Sequence, residues 1–402
     1  MSLLENYESK AQPWLDRVAT LAPLVEEHRA AIEAERRMPQ PVFEAMRNAD
    51  LFRMWLPQQY GGFESDLVTT RLVIEAVARL DGSAGWYVSI LNEAAALAAY
   101  LPEDGAEEVF RDRNALVAGG GAPPGKATRV EGGHLVTGTW ALASGSPHAT
   151  WLFGSAAEVD GDAAEPRRPA SEDVFRAVPP STSPTVYAFA MRAEECKVLD
   201  TWYSTGLRGS GSHHIQAENV FVPEHRRFSL TSGRRISGSI YPEVYVRMLS
   251  PNHAAVGLGV ALGALDAFKQ LARSKPASRG QPPLSDQGAV HALIGRSEVR
   301  LHAARLALHD ASVQTQEQLA SAGDLLEERF LLNGLVSAHV AAEATDVVSQ
   351  LYTAGGSTSL YQTNRLDRAL RDVHTANQHL STGPANFAQG GKYLLTANGG
   401  HQ

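Results

Sequence analysis

The 402-residue sequence holds a single cysteine, Cys196. One thiol closes no internal disulfide and builds no thiolate metal cluster, so a reducing, cytoplasmic setting is expected. Long apolar runs are also missing. Nowhere do about eighteen uncharged apolar residues follow one another, the length that crosses a bilayer. Glu5, Glu8 and Asp16 break up the apolar residues near the start, so neither secretion nor membrane spanning is expected. Positive charge is in deficit: 36 Lys and Arg against 44 Asp and Glu give a formal net charge of −8, and no Lys/Arg block occurs. A polyphosphate backbone is attracted by a basic surface, so no nucleic-acid partner is expected.

Two ligand signatures fail as well. Residues 118 to 125 read Ala-Gly-Gly-Gly-Ala-Pro-Pro-Gly, but Pro123-Pro124 leaves no helix N-terminus to receive a pyrophosphate, so this is not a dinucleotide fingerprint. His213 and His214 are neighbours on a strand-like run and point to opposite faces. With no spaced carboxylate or thiolate set to complete a site, no metal is expected. Finally, Val373 to Gln402 contains no Asp or Glu.

The residues present are those of an ordinary globular protein, 44% hydrophobic and 20% charged, long enough for two or three domains. Residues 1 to 115 read as an N-terminal helical domain. Leu15, Val18, Ala22, Val25 and Ile32 approximate one helical face, Pro39 and Pro41 mark a break, Asp66 is placed to cap a helix carrying Leu67, Thr70, Ile74 and Val77, and Ser83 to cap the next. Residues 116 to 228 change to strand periodicity, with a Gly132-Gly133 hairpin turn before Leu135, Val136 and Trp140. Residues 157 to 184, rich in proline and charge, read as a surface excursion. From 229 to 402 the helical period returns: Val290, Leu293, Ser297, Leu301, Ala304, Leu308 and Ala311 step by three and four, as bundle helices do. Gly257, Gly259, Ala261, Gly263 and Ala264 suit close helix approach.

Near mid-chain, Gly206-Leu207-Arg208-Gly209-Ser210-Gly211-Ser212 forms a tight, donor-rich turn, closed by Val220-Phe221-Val222-Pro223. In that position it resembles the central β-domain of the acyl-CoA dehydrogenase superfamily. Met38-Pro39, Leu51-Phe52 and Leu56-Pro57 through Tyr60-Gly61-Gly62 are similar to the family's N-terminal helical hairpin. Three further segments, Leu80 to Trp86, Gly138-Thr139-Trp140 with Ser144-Gly145, and Gly355-Gly356-Ser357 with Arg368 to His379, resemble its two-component flavin-dependent monooxygenases, the group D hydroxylases that use free reduced flavin.

The resemblance implies an α+β fold: an N-terminal helical domain, a central antiparallel β-barrel or sandwich, and a C-terminal four-helix bundle that forms a homotetramer. It implies an oxygenase taking reduced FMN or FAD and O2 and hydroxylating an electron-rich small molecule, phenolic or polyketide-like, through a C4a-hydroperoxyflavin. With no nicotinamide site in the chain, the electrons would come from a separate NAD(P)H-flavin reductase. His374 is the implied base, and Ser144 the hydroxyl near the flavin N5. Trp140, Arg208 and Ser210 would line the cofactor, while Arg273, Gly355, Gly356 and Ser357 would contact its phosphate or nucleotide end. The competing structural readings are a histidine on a helix-terminal carbonyl, a turn serine, a loop arginine and a packing tryptophan.

A dehydrogenase would need a carboxylate base. That base falls near His379 or Leu380, and neither is acidic, although Glu243 lies in a stretch that could approach the site. Dehydrogenation, N- or S-oxygenation, Baeyer-Villiger insertion and a non-catalytic scaffold remain the alternatives. One departure from the branch stands out: where many members carry a histidine in the helix after Trp86, this chain has Asn92-Glu93-Ala94-Ala95.

Overall fold

The computed structural model describes residues 3–159, 186–238, 240–275 and 282–396; the greater part of the expected 157–184 excursion therefore lies outside the described residues. Six helices come first: α1 (Leu3–Glu27), α2 (Arg29–Glu35), α3 (Gln40–Asn48), α4 (Leu67–Leu80), α5 (Gly82–Ala96) and α6 (Glu103–Phe110). Asp66 caps α4 by accepting from the Thr69 N–H, and Pro39 precedes α3, where its missing N–H costs nothing. The cap of α5 is Asp81 rather than Ser83: its carboxylate accepts from the Ala84 N–H, while the Ser83 hydroxyl accepts from the Gly209 N–H at 3.1 Å. That hydroxyl is spent on fixing the mid-chain turn.

Seven strands follow, β1 (Val117–Val130), β2 (Gly133–Ala143), β3 (Trp151–Val159), β4 (Val186–Arg192), β5 (Lys197–Leu199), β6 (His213–Pro223) and β7 (Arg227–Phe228). Among the described residues they form one open sheet in the order β5-β6-β2-β1-β3-β4-β7. The α+β organisation is as expected, but the sheet is neither closed nor wholly antiparallel. β1 and β3 run parallel, Val117 opposite Trp151, with a register shift between Gly120 and Gly125. The β1–β2 hairpin turns through Glu131 and Gly132, and Gly132 takes φ +78°, which glycine adopts without a Cβ clash. Trp140 fills the sheet's own core. It is fully buried and its indole N–H donates to the Ser155 carbonyl at 2.7 Å. A Cβ at Gly154 would stand 2.3 Å from that indole, so only glycine fits beneath it.

Five more helices complete the chain: α7 (Ser250–Ser274), α8 (Gly288–Ala322), α9 (Glu327–Gly355), α10 (Arg365–Ala376) and α11 (Ala385–Thr396). α7 is the axis of the helical part and packs on α4, α5, α8, α9 and α10. Tyr245–Ser274 is long and apolar enough to cross a bilayer, yet 72% of its most apolar window is buried inside the molecule. Its small residues allow this. A Cβ at Gly259 would stand 2.3 Å from the Glu75 carbonyl and one at Gly263 2.5 Å from that of Arg79, so α4 and α7 touch backbone to backbone. One hydrophobic cluster runs from Val18 through α4, α5 and α7 to Ala376, and a separate one holds Trp140 within the sheet.

Candidate functional site

The mid-chain turn is held from both sides. Its Leu207 N–H donates to Asp372 Oδ1 at 2.6 Å, Arg371 donates to the Thr205 carbonyl at 2.7 Å and to Glu33 at 2.6 Å, and Arg368 pairs with Asp81 at 2.7 Å. A Cβ at Gly206 would stand 2.1 Å from the Arg371 carbonyl, which makes glycine necessary at this approach. The turn thus sits against α10, and its serines face β2 and α5. Ser210 Oγ lies 2.7 Å from Ser212 Oγ, Ser212 Oγ lies 2.7 Å from Ser144 Oγ, and the Trp86 indole N–H donates to Ser144 at 3.0 Å. All four side chains are buried. Three rotatable hydroxyls in series, ending on an indole, can exchange bonds with one another for bonds to a ligand edge.

On the other side of Trp86 stand two imidazoles. The His253 ring, from the start of α7, stacks on it with centroids 5.1 Å apart and planes at 23°. His379, just past the end of α10, meets it edge-on at 5.9 Å and lies 4.1 Å from the His253 ring. The Ser381 hydroxyl sits between the two, 2.6 Å from His253 Nδ1 and 2.8 Å from His379 Nδ1. His379 as a residue keeps some solvent exposure, but its ring is enclosed by these neighbours. Burial, with His253 beside it, holds its imidazolium well below the usual histidine range. A neutral ring with a lone pair is the form that accepts a proton.

His374 does not reach this cluster. It is exposed on α10, whose inward residues are Leu366, Arg368, Ala369, Asp372, Val373 and Ala376. The helix ends at Ala376, and the chain beyond it turns back toward Trp86, so the inward imidazole is the one five residues later. Ser144 and Ser210 are brought together. Trp140 and Arg208 are not available to a ligand: the first is enclosed in the sheet, and the second donates to the Glu33 carbonyl at 3.0 Å and the Ser204 carbonyl at 3.1 Å. Arg273 and Gly355–Ser357 meet at one end of the bundle, where Lys275 donates to the Gly355 carbonyl at 2.9 Å and Arg273, Gly356 and Ser357 are exposed. Twenty residues of α7 separate Arg273 from His253, roughly 30 Å at helical rise, so the two groups stand near opposite ends of that helix.

Of the two carboxylates considered, Glu243 lies away from the cluster and Glu93 borders it, its Oε1 3.3 Å from His253 Nε2. Glu243 accepts from the Gly233 N–H and lies 3.8 Å from Arg234, outside the cluster. Glu93 is buried behind His253, its Oε1 accepting from Asn252 at 2.9 Å and Ser89 at 3.2 Å. Asn92 is structural, binding the Met54 and Trp55 N–H groups and the Leu51 and Val88 carbonyls. His253 and Ser381 carry no local signal, because each reaches the site only through packing of distant segments, whereas Ser212 belongs to the donor-rich turn that the sequence shows. His379 had one, its place where a dehydrogenase base would fall.

Comparison with known proteins agrees with this fold. Residues 17–110 match the family model for the acyl-CoA dehydrogenase N-terminal domain, and residues 252–384 match one for the C-terminal domain. Among similar proteins, the flavin-dependent monooxygenase oxygenase subunit HsaA of Mycobacterium tuberculosis is 30% identical, covering 93% of each chain. The indole-3-acetate monooxygenase of Pseudomonas putida is 27% identical over 89% of this chain and 87% of that protein. XiaF from Streptomyces sp., solved in complex with FADH2 and glycerol, superposes with a TM-score of 0.86 at 24% identity, covering 98% of both chains.

Proposed function

Because the chain belongs to the acyl-CoA dehydrogenase superfamily, as a flavin-dependent monooxygenase oxygenase component, we propose that it uses reduced FMN or FAD from a separate NAD(P)H-flavin reductase to hydroxylate an electron-rich aromatic, phenolic or polyketide-like, with His379 as base. The observation that carries this is the single packed series from Ser210 through Ser212, Ser144 and Trp86 to His379. It joins hydroxyls of the β-domain to an imidazole of the bundle.

The residues fit a flavin. The serine series offers donors and acceptors to a heteroaromatic edge, and Gly145 beside Ser144 takes φ +82°, which keeps that turn free of a side chain. Ser144, Ser210 and Ser212 would hold the ring edge, and Arg273 with Gly355–Ser357 the phosphate or nucleotide end. Bound reduced flavin supplies two electrons to dioxygen and one oxygen atom goes to the substrate. The chain's part is to orient the aromatic ring, exclude water and take its proton at His379, which makes the attacked carbon more electron-rich. No carboxylate follows Val373, which leaves dehydrogenation without the base at that position. A homotetramer in the cytoplasm belongs to the same reading; the exposed Leu360, Tyr361, Leu380 and Leu395 of the helical part support association of copies.

The test is anaerobic titration with reduced FMN and FAD, followed by oxygen in the presence of resorcinol, p-hydroxyphenylacetate or indole-3-acetate. Hydroxylated product in wild type, a fall of about a hundredfold in His379→Asn, and unchanged yield in His374→Ala are expected. Tight retention of oxidised FAD that bleaches with an acyl-CoA would overturn the reading.

A further inference from the structure

His379 poses a problem of proton disposal. An imidazole held well below its usual range by burial takes a proton but keeps it poorly. Behind it lies a continuous path. Ser381 Oγ bridges His379 Nδ1 at 2.8 Å and His253 Nδ1 at 2.6 Å, and His253 Nε2 faces Glu93 Oε1 at 3.3 Å. His253 is 1% exposed, and its Nε2 has no hydrogen-bond partner in this geometry, so the carboxylate beside it meets an unsatisfied buried group. We propose that Ser381, His253 and Glu93 are positioning residues that form a proton relay, carrying the substrate's proton from His379 into the helical core. The proposal rests on His379 being the base.

The steps balance without any redox change. The relay starts from His253 as the Nε2–H tautomer, its proton on the Glu93 side, with His253 Nδ1 as the acceptor of the Ser381 hydroxyl and Ser381 Oγ as the acceptor of the His379 Nδ1–H. When His379 takes a proton at its other nitrogen, its Nδ1 proton passes to Ser381 Oγ, and the Ser381 proton passes to His253 Nδ1. The products are a neutral His379 and an imidazolium at His253 paired with Glu93.

Three features favour that end state. The Ser381 N–H donates to His379 Nδ1 at 3.3 Å in this structure, a contact that the Nδ1–H form gives up and the end state keeps. The Trp86 face lies over His253 at 5.1 Å, where a cation is attracted by the ring. Glu93 supplies the opposite charge. One feature makes the charge transient: the buried Arg71 guanidinium binds Asn252 at 3.0 Å, and Asn252 binds Glu93, so Glu93 is already shared with a cation. The relay also answers the missing histidine of α5, since α7 brings an imidazole against Trp86 from the other side.

Ring 15N NMR of histidine in the flavin-free chain tests the path directly, with His253 and His379 assigned from single His→Asn variants. Glu93→Gln keeps the side chain's shape and removes its charge. The substitution is expected to shift the His379 nitrogens in the wild-type background, to leave them where Ser381→Ala alone puts them when added to that variant, and to shift them again when added to Ser381→Thr, which restores the hydroxyl. Ser381→Gly replaces the alanine variant should that one not fold. His379 signals insensitive to Glu93→Gln, or equally sensitive without the hydroxyl, would overturn the relay. In turnover, product per reduced flavin is expected to fall roughly tenfold in Ser381→Ala and recover in Ser381→Thr; equal yields in the two would also overturn it. A wild type that hydroxylates none of the three aromatics fails the proposed function, while the spectra still decide the relay.

Discussion

His374 and His379 share one short segment and differ in what their rings touch. The first is solvated; the second is enclosed by an indole and another imidazole. A third histidine shows the same rule with a measurable consequence. His148 stacks on Phe43 at 4.1 Å and its Nδ1 meets the Tyr87 hydroxyl at 2.7 Å. Burial, with Arg37 adding to it, pulls its pKa from the ordinary 6.5 down to about 4. The unfolded chain therefore binds a proton between these values that the folded chain refuses. The stabilising contribution is complete above pH 6.5 and is lost as pH falls toward 4, with a slope approaching about 1.4 kcal/mol per pH unit. Urea denaturation from pH 7 to pH 4 is expected to show this slope, and His148→Phe to flatten it; an unchanged slope would show that the ring titrates normally.

Among the elements, α7 does most to position the site, since it carries His253 at its start and touches α4 backbone to backbone at Gly259. Gly259→Val forces a side chain into the Glu75 carbonyl. α4 would move off α7, taking with it the Glu75 carboxylate that His309 and Arg305 bind at 2.8 and 2.7 Å. A loss of about 1–3 kcal/mol is expected, the usual cost of overpacking, read as a lower urea midpoint with an unchanged m-value. The close approach was legible in the run from Gly257 to Ala264. The sheet was legible only in part. A Gly132 turn announces a hairpin, whereas the parallel β1–β3 pairing has no local signature, because a parallel neighbour is joined through whatever intervenes and not through a turn.

Across the whole molecule, Arg368 ties the parts together. Buried on α10, it pairs with Asp81 at the start of α5 at 2.7 Å and lies 3.6 Å from Asp372, which receives the turn's Leu207 N–H. Burial pushes the Asp372 carboxyl up to about 6, against the pull of Arg368. Arg368→Met would leave the buried Asp372 without its cation and Asp81 with only Arg29 at 3.9 Å, at a cost of about 3–5 kcal/mol. Weaker binding of reduced flavin is expected alongside, because the serine turn loses its anchor; full stability with full flavin affinity would contradict this role.

The sequence by itself determined whatever acts over a few residues: helical and strand periods, the glycines that backbone contact demands, the cap at Asp66, and the lack of acid beyond Val373. It also carried the order of motifs by which the family is identified. Tertiary structure decided which imidazole faces inward, that the sheet stays open, and that Glu93, His253 and Ser381 meet. His253 and Ser381 are 128 residues apart, and Asn252 and Glu93 159. Contacts at such separations depend on how helices pack against one another, and no local period records the direction from which a distant neighbour arrives.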